Sequence, residues 1–484
     1  MKLHGLLKNI NYKVLQGNED INISNIQYDS RKVTENSLFI CVKGFKVDGH
    51  DFAKNAILKG AKALLVEDEV EYINDSITII KVENTREVMA YVASRYYNNP
   101  SNKFRLIGIT GTNGKTSTTF LTKGIIEEYK KKTGLIGTNE NRIGDKILKS
   151  KRTTPEALEL QELFYNMVQE NVNGVIMEVS SHSLELHRVD GCRFDVGVYT
   201  NLTLDHLDFH KTMENYRDAK LKLFMMCEKG VINLDDQYGK YMIENGTCKE
   251  YITYGINNED ADLNAMDLDI DINGATFSII YNEIVYKVKL ATPGKFSVYN
   301  ALAAMGACLA LGIPMDIIIK GLEKNKGIRG RFQAFTSDTN YTVIVDYAHA
   351  PDGLLNVLQS IKEFADKKII TVFGCGGDRD RSKRPIMGEI AGNNSDYCVI
   401  TSDNPRTENP LSIIEEIEVG MKKTSCKYET VVDRLKGIQT ALSMAKEGDV
   451  ILIAGKGHED YQILNDGIIH FDDAEVVKEY LNMD

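Results

Sequence analysis

The segment Gly108-Ile109-Thr110-Gly111-Thr112-Asn113-Gly114-Lys115-Thr116-Ser117 joins a short apolar run, Arg105 to Thr110, to an amphipathic pattern that begins at Lys115. A strand that turns through glycines straight into a helix is the opening of a strand–helix crossover. Further apolar runs at Gly174 to Val179 and Asp195 to Thr200 continue the alternation, so a mostly parallel sheet covered by helices is expected. The turn itself aims backbone N–H groups and a helix N-terminus at one spot, a geometry that suits phosphates. Lys115 is the residue expected at the outer phosphates, and Thr116 the one expected on magnesium. Ile109 stands where the strict phosphate-loop spacing has its first glycine.

At 484 residues the chain exceeds one hydrophobic core, since domains usually run ~100–200 residues, and about three are expected. The first, residues 1–98, has β-rich runs at Ser37 to Val42, Ala63 to Val66 and Ile77 to Val82, then a helical pattern from Glu87 to Tyr97. Asn98-Asn99-Pro100 reads as a linker. The second domain, residues 99–329, contains the glycine-rich turn, a hairpin-like stretch from Leu263 to Leu290 and a small-residue helix at Asn300 to Leu311. After the turn-prone Asn325 to Gly330, the third domain, residues 330–484, repeats the α/β logic. Its strands are expected at Thr342 to Val345, Ile369 to Phe373, Tyr397 to Thr401 and Val450 to Ala454. Each leads into a loop rich in Gly, Asp or Arg, and in open α/β sheets ligands gather at such carboxyl ends. The predicted class is therefore α/β in three domains: an N-terminal α/β domain, a central phosphate-loop domain and a C-terminal Rossmann-like domain.

Composition removes several function classes. A net charge of -11 disfavours general nucleic-acid binding, which needs excess Lys and Arg to displace counterions. An anionic small substrate would have to meet locally concentrated cations. No run of 18 apolar residues and no basic-then-apolar leader is visible, so neither a membrane span nor an export signal is expected. Eight scattered cysteines without a Cys-x-x-Cys pair read as buried thiols in a reducing compartment, which points to the cytoplasm.

Two more strand ends carry candidate ligands. Glu178 closes the run Met177-Glu178-Val179-Ser180-Ser181-His182, where a carboxylate can hold Mg2+ against phosphates. His206 follows the next strand in Thr200-Asn201-Leu202-Thr203-Leu204-Asp205-His206-Leu207-Asp208. Further along, Gly374-Cys375-Gly376-Gly377-Asp378-Arg379-Asp380 looks like a dinucleotide loop. The charged run to Lys383-Arg384-Pro385, however, is a poor start for the helix such a loop requires.

Taken in order, Thr-Gly-Thr-Asn-Gly-Lys-Thr, Glu-Val-Ser-Ser-His, the His206 motif, Ala219-Lys220-x-x-Leu223-Phe224, Asn300-Ala301, Gly330-Arg331 and Asp346-Tyr347-Ala348-His349-Ala350-Pro351 resemble the Mur ligases over essentially the whole chain. In that family ATP phosphorylates a substrate carboxylate, and an amino acid's amine then attacks the acyl phosphate to give an amide, ADP and phosphate. The resemblance implies an ATP site at Gly111, Thr112, Asn113, Gly114, Lys115, Thr116, Ser117, Asn300, Arg331 and Asp346. It implies a Mg2+ set of Thr116, Glu178, His206 and a carbamylated Lys220, with Arg331 neutralising the transferred phosphoryl group. Lys115, Glu178, His206, Lys220 and Arg331 are thus the expected catalytic group.

The acceptor side of the resemblance lies at Asp29-Ser30-Arg31 and Lys43 to His50, similar to the uridine-nucleotide domain of the branch that adds the third residue. Ser30, Phe45, Lys46, Val47, Thr153, Thr154, Ser180 and Arg188 are the implied contacts to UDP-N-acetylmuramoyl-L-alanyl-D-glutamate. Arg152 stands where a close relative has Asn, and Leu186 where one has Gln. The amino-acid site is implied at Arg379, Asp403-Asn404-Pro405-Arg406, Gly455 and Glu459, and the tetrapeptide resembles the signature of enzymes that take meso-2,6-diaminopimelate. Arg406 is expected to pair with the carboxylate that lysine lacks, at a discrimination of roughly 3–5 kcal/mol. The same reaction with L-lysine is the nearest rival, and folylpolyglutamate-type ligation, which shares the ATP site, stands against the N-terminal nucleotide motif. A non-catalytic ATP-binding regulator would be expected to lack Lys115, Glu178 or His206, and a nicotinamide enzyme needs a Gly-x-Gly-x-x-Gly unit that is missing here. A monomer is expected.

Overall fold

The structure, a computed structural model, describes residues 1–70 and 76–483. Its N-terminal sheet has five strands. Asn25–Gln27, Ser37–Ile40, Ala61–Val66 and Thr78–Lys81 run parallel, and Lys13–Gln16 closes one edge antiparallel. The helix expected from Glu87 starts earlier, at Thr85, because the Asn84 side chain accepts hydrogen bonds from the N–H groups of Arg86 and Glu87 and so caps it.

The central sheet has nine strands. At its heart Phe194–Tyr199, Arg105–Thr110, Gly174–Glu178 and Thr133–Ile136 lie side by side and parallel. Gly174–Glu178 and Thr133–Ile136 are buried throughout, and each of the other two has a single residue that is not, as expected for strands covered on both faces. Ile109 is fully buried in the strand, so the phosphate-type turn starts only at Gly111. The hairpin-like stretch becomes a separate three-stranded antiparallel sheet, Met266–Asp271, Gly274–Tyr281 and Ile284–Leu290. Its inward residues, among them Phe277, Ile279 and Val288, share a core with the helix Lys295–Ala310.

The C-terminal sheet has six strands, with Thr342–Asp346, Val450–Ala454, Ile369–Phe373 and Tyr397–Thr401 adjacent and parallel. The loops after these four strands therefore open at one edge of the sheet. Here one expectation fails: the charged run does begin a helix, Lys383–Asn394. Arg384 is fully buried there and bonds Glu408 and Glu416 at 2.8 and 3.0 Å, so its charge is matched by partners far away in sequence. Pro385 sits in the first turn, where its missing N–H costs nothing. All eight cysteines are free thiols. Cys192, Cys248 and Cys426 are only half-buried, contrary to the expectation that all are buried. Among the described residues no helix is long and apolar enough to cross a membrane.

Candidate active site

Three neighbouring strand ends of the central sheet place the phosphate loop, Glu178 and the segment after Tyr199 together. Gly114 is left-handed, φ +83°, and a Cβ there would come within 2.4 Å of the Asn300 Oδ1, so the close approach of helix Lys295–Ala310 to the loop requires glycine. Lys115 opens the helix Lys115–Glu128 and folds its Nζ back onto the carbonyls of Gly111 and Thr112, both at 2.8 Å. Burial lowers its pKa, Glu178 opposes that shift and Arg331 adds to it. The ammonium is thus held over the loop among charges of both signs.

Glu178 is buried and accepts three hydrogen bonds at 2.9 Å: from the Thr116 hydroxyl, the Thr138 hydroxyl and the Thr138 N–H. Arg331 reaches the same point from the C-terminal side, its Nη2 donating to the Thr116 hydroxyl at 3.3 Å. Asp346 instead receives the N–H groups of Phe332 and Ala348 at 2.7 and 2.8 Å, which pins the segment after Arg331 to the C-terminal sheet. Asp346 therefore acts on backbone, while Arg331 reaches across to the Thr116 hydroxyl.

His206 is a left-handed residue, φ +54°, on the rim of this region and sits 3.4 Å from Asp205. Burial lowers its imidazole pKa, Asp205 opposes this, and Lys115 and Lys220 add to it. Lys220 is fully buried on the helix Met213–Phe224. Among the described residues its Nζ has no hydrogen-bond partner, and it lies 4.4 Å from the Tyr216 ring centroid. Burial, reinforced by Lys115, holds its amine well below the usual lysine range. The oxygen donors of Glu178 and Thr116 fit a hard divalent cation, and a buried, unpartnered amine of lowered pKa fits conversion to a carbamate. Among the described residues the one convergent group of three metal-type side chains is elsewhere, Asp48, His50 and Asp68 in the N-terminal domain. Nor is a closed three-ligand cage of His, Asp or Glu preformed around Glu178.

The implied acceptor residues fall into two groups. Thr154 donates to the Glu178 carbonyl at 2.8 Å and receives the Ser180 N–H at 3.1 Å, while Thr153 meets Thr138 at 3.0 Å. Arg188 pairs with the buried Glu156 at 2.8 Å, and Arg152 and Arg86 approach the same carboxylate at 3.3 and 3.8 Å. Three guanidinium groups thus share one carboxylate. The second group is the N-terminal loop. Ser30 is buried in a short turn, Phe45, Lys46 and Val47 are exposed, and the Phe45 ring meets Phe209 of the central domain edge-on at 6.1 Å. A cleft of about 530 Å³ beside this loop is lined by Lys43, Glu67, Glu83, Asn84, Arg86 and Glu87.

In the C-terminal domain Asn404 is the hub. Its amide donates to Glu459 at 2.9 Å, and its oxygen accepts from the Ile463 N–H at 2.9 Å and from Lys456 at 3.3 Å. Gly455 approaches the Asp403 carboxylate so closely that a Cβ would lie 2.6 Å from it. Arg406 is half-buried and donates to the Gly377 carbonyl at 2.7 Å. Arg379 is exposed and stands outside this network.

Thr138 and Glu156 with Arg86 are the site residues that sequence reasoning did not single out. Thr138 stands two residues after the strand Thr133–Ile136, and that position was its one available signal. The others depend on contacts between distant segments.

Comparison with known proteins extends this picture. Residues 22–97 match the "Mur ligase family, catalytic domain", residues 109–308 the "Mur ligase middle domain" and residues 330–457 the "Mur ligase, glutamate ligase domain". The UDP-N-acetylmuramoyl-L-alanyl-D-glutamate–2,6-diaminopimelate ligase of Caldanaerobacter subterraneus subsp. tengcongensis is 48% identical over 483 residues, covering 99% of each chain. A solved structure of a ligase with that same name is 32% identical, covers 100% of this chain and 99% of its own, and superposes with a TM-score of 0.73. The MurF ligase of Thermotoga maritima, solved in complex with ADP, shares the fold at 20% identity and a TM-score of 0.63, over 89% of this chain and 93% of its own.

Proposed function

The chain belongs to the Mur ligase family, and from that premise we infer that its site joins meso-2,6-diaminopimelate to the D-glutamate of UDP-N-acetylmuramoyl-L-alanyl-D-glutamate, an ATP-driven step of peptidoglycan synthesis. A carboxylate oxygen of the acceptor attacks the γ-phosphorus of ATP, and ADP leaves. The amine nitrogen of the incoming amino acid then attacks the acyl carbon, phosphate leaves, the amide forms and the amine gives up its proton.

The observation that carries this reading is the meeting of Thr116, Glu178 and Arg331 at one point, next to Lys115 on one side and to Thr153, Thr154 and Ser180 on the other. Phosphate-binding and acceptor-binding residues thus share a wall. In the proposed roles Lys115 and the N–H groups of Gly111 to Ser117 hold the phosphates, and Arg331 faces the charge that develops on the transferred group. Thr116, Glu178, His206 and a carbamylated Lys220 would hold Mg2+, which when bound neutralises charge between the phosphates. Arg188, with Arg152 and Arg86, draws in the anionic acceptor, and the Ser30 and Phe45 to Val47 region takes its uridine end. Asn404, Glu459, Gly455, Asp403 and Arg406 take the amino acid, and Arg379 would have to swing in from solvent to join them.

The domain limits 1–98, 99–329 and 330–484, a monomeric state and a cytoplasmic location belong to the same proposal. The deciding experiment gives purified protein ATP, magnesium and the acceptor, then either diaminopimelate or lysine, and follows ADP and the amide product by mass spectrometry. Amide formation with diaminopimelate is expected. ADP release without any amide would overturn the reading in favour of a simple nucleotide hydrolase or regulator, and equal use of lysine would overturn the amino-acid assignment alone.

A further inference from the structure

Among the described residues, no carboxylate forms an ion pair with Arg331. Its guanidinium carbon stands 4.6 Å from the centroid of the Tyr347 ring, one nitrogen touches Thr116 at 3.3 Å, and its Nε is buried without a partner. An ion pair would hold such a side chain firmly but would also spend the charge needed at a phosphoryl group. An aromatic face holds the flat cation while leaving its N–H fork free.

The ring that does this is itself locked to the amino-acid loop. It packs 4.9 Å from the His458 ring and 4.5 Å from the His349 ring. Gly457 is left-handed, φ +54°, and a Cβ there would lie 2.6 Å from the Gly330 carbonyl and 2.7 Å from the Tyr347 Cβ. Gly330, φ +67°, meets the His458 backbone so closely that a Cβ would come within 2.0 Å of its nitrogen. Three segments are therefore interlocked without slack: the turn that delivers Arg331, the strand end that delivers Tyr347 and the loop that delivers Glu459.

We propose that Tyr347 is a positioning residue for Arg331, and that through it the loop Gly455–Glu459, which faces the incoming amino acid, sets where the guanidinium stands over the phosphate region. This inference rests on the ligase reading above. It makes Tyr347 act on the rate of phosphoryl transfer through Arg331 and not on amino-acid affinity.

A double-mutant cycle tests it, with ADP formation measured for wild type, Tyr347→Leu, Arg331→Lys and the pair, and with Tyr347→Phe as the conservative variant. Tyr347→Leu should lower kcat about ten- to thirtyfold, in line with a desolvated cation–π contact, while KM for diaminopimelate stays within about threefold. Tyr347→Phe, which keeps the ring, should recover most of that loss. In the Arg331→Lys background, where the flat cation is already gone, Tyr347→Leu should cost less than about threefold, because residues that act as a unit are not additive. Tyr347→Met, which fills the space without a π face, repeats the measurement should the leucine variant not fold. Equal losses in both backgrounds, or a raised KM with kcat kept, would overturn the inference while leaving the ligase reading standing. A wild-type protein that makes no ADP would overturn both.

Discussion

Lys220 turns its Nζ onto the face of the Tyr216 ring, 4.4 Å from the centroid, at full burial and with no hydrogen-bond partner among the described residues. A charged ammonium in that place is costly, and burial first, then Lys115, holds its pKa well below the ordinary lysine value. A neutral amine can add carbon dioxide: nitrogen bonds to carbon, one proton leaves, and a carbamate anion results. Lys220→Ala should lower turnover at least about a hundredfold, the scale for losing a group that stabilises charge in a closed site. A small carboxylic acid added to that variant should restore part of the activity, and 13C-bicarbonate should label wild type with a carbamate signal in NMR. Full turnover by the unsupplemented variant would remove the carbamate.

Lys115 makes its two hydrogen bonds to carbonyls of its own loop, so its removal leaves the distant packing untouched. Lys115→Ala should cut ADP formation by roughly a hundred- to thousandfold and leave the thermal midpoint nearly unchanged. A turnover close to wild type would mean that the phosphates bind elsewhere.

Arg406 calls for a smaller effect than a fully buried pair would give. It is half-buried, and its Nη1 already donates to the Gly377 carbonyl, so a bound lysine would not leave it without partners. The residual gain is that of hydrogen bonds to a charged group, about 1.5–3 kcal/mol, or ten- to a hundred-and-fiftyfold. Arg406→Ala should reduce the diaminopimelate-to-lysine ratio of kcat/KM by that factor. An unchanged ratio would place the discrimination on other residues.

His458 links acidity to stability. Its pKa is lowered to about 4 by burial first and then by Arg331 and Arg329, against an ordinary value near 6.5. Between those limits the unfolded chain binds a proton that the folded one refuses, so stability is greatest above about pH 6.5 and falls as the pH drops toward 4. The contribution is of order 1–3 kcal/mol. Denaturant titrations at pH 7 and pH 4.5 should show a smaller acid loss for His458→Gln than for wild type, and identical losses would show that the imidazole does not titrate in this window.

The strands under the site could be read from the chain because parallel strands buried on both faces leave short uninterrupted apolar runs, as at Arg105–Thr110 and Val450–Ala454. The motif positions followed, since a residue placed directly after such a run lies at the carboxyl edge of a sheet. The helix Lys383–Asn394 was misjudged for the complementary reason. Its charged first turn looks hostile to burial until Glu408 and Glu416 arrive from a distant segment to match Arg384.

The sequence by itself determined the alternating α/β order, the glycine-rich turn with Lys115 and Thr116, and the strand-end placing of Glu178, because each depends on neighbours only a few positions away. Only the tertiary structure decided that Thr138 shares the Glu178 carboxylate, that Arg86 and Arg188 join the neighbouring Arg152 at Glu156, and that Tyr347 lies under Arg331. Those relationships join positions from 16 to 70 residues apart, and contacts at that separation are set by how whole layers pack, which no local pattern of residues encodes.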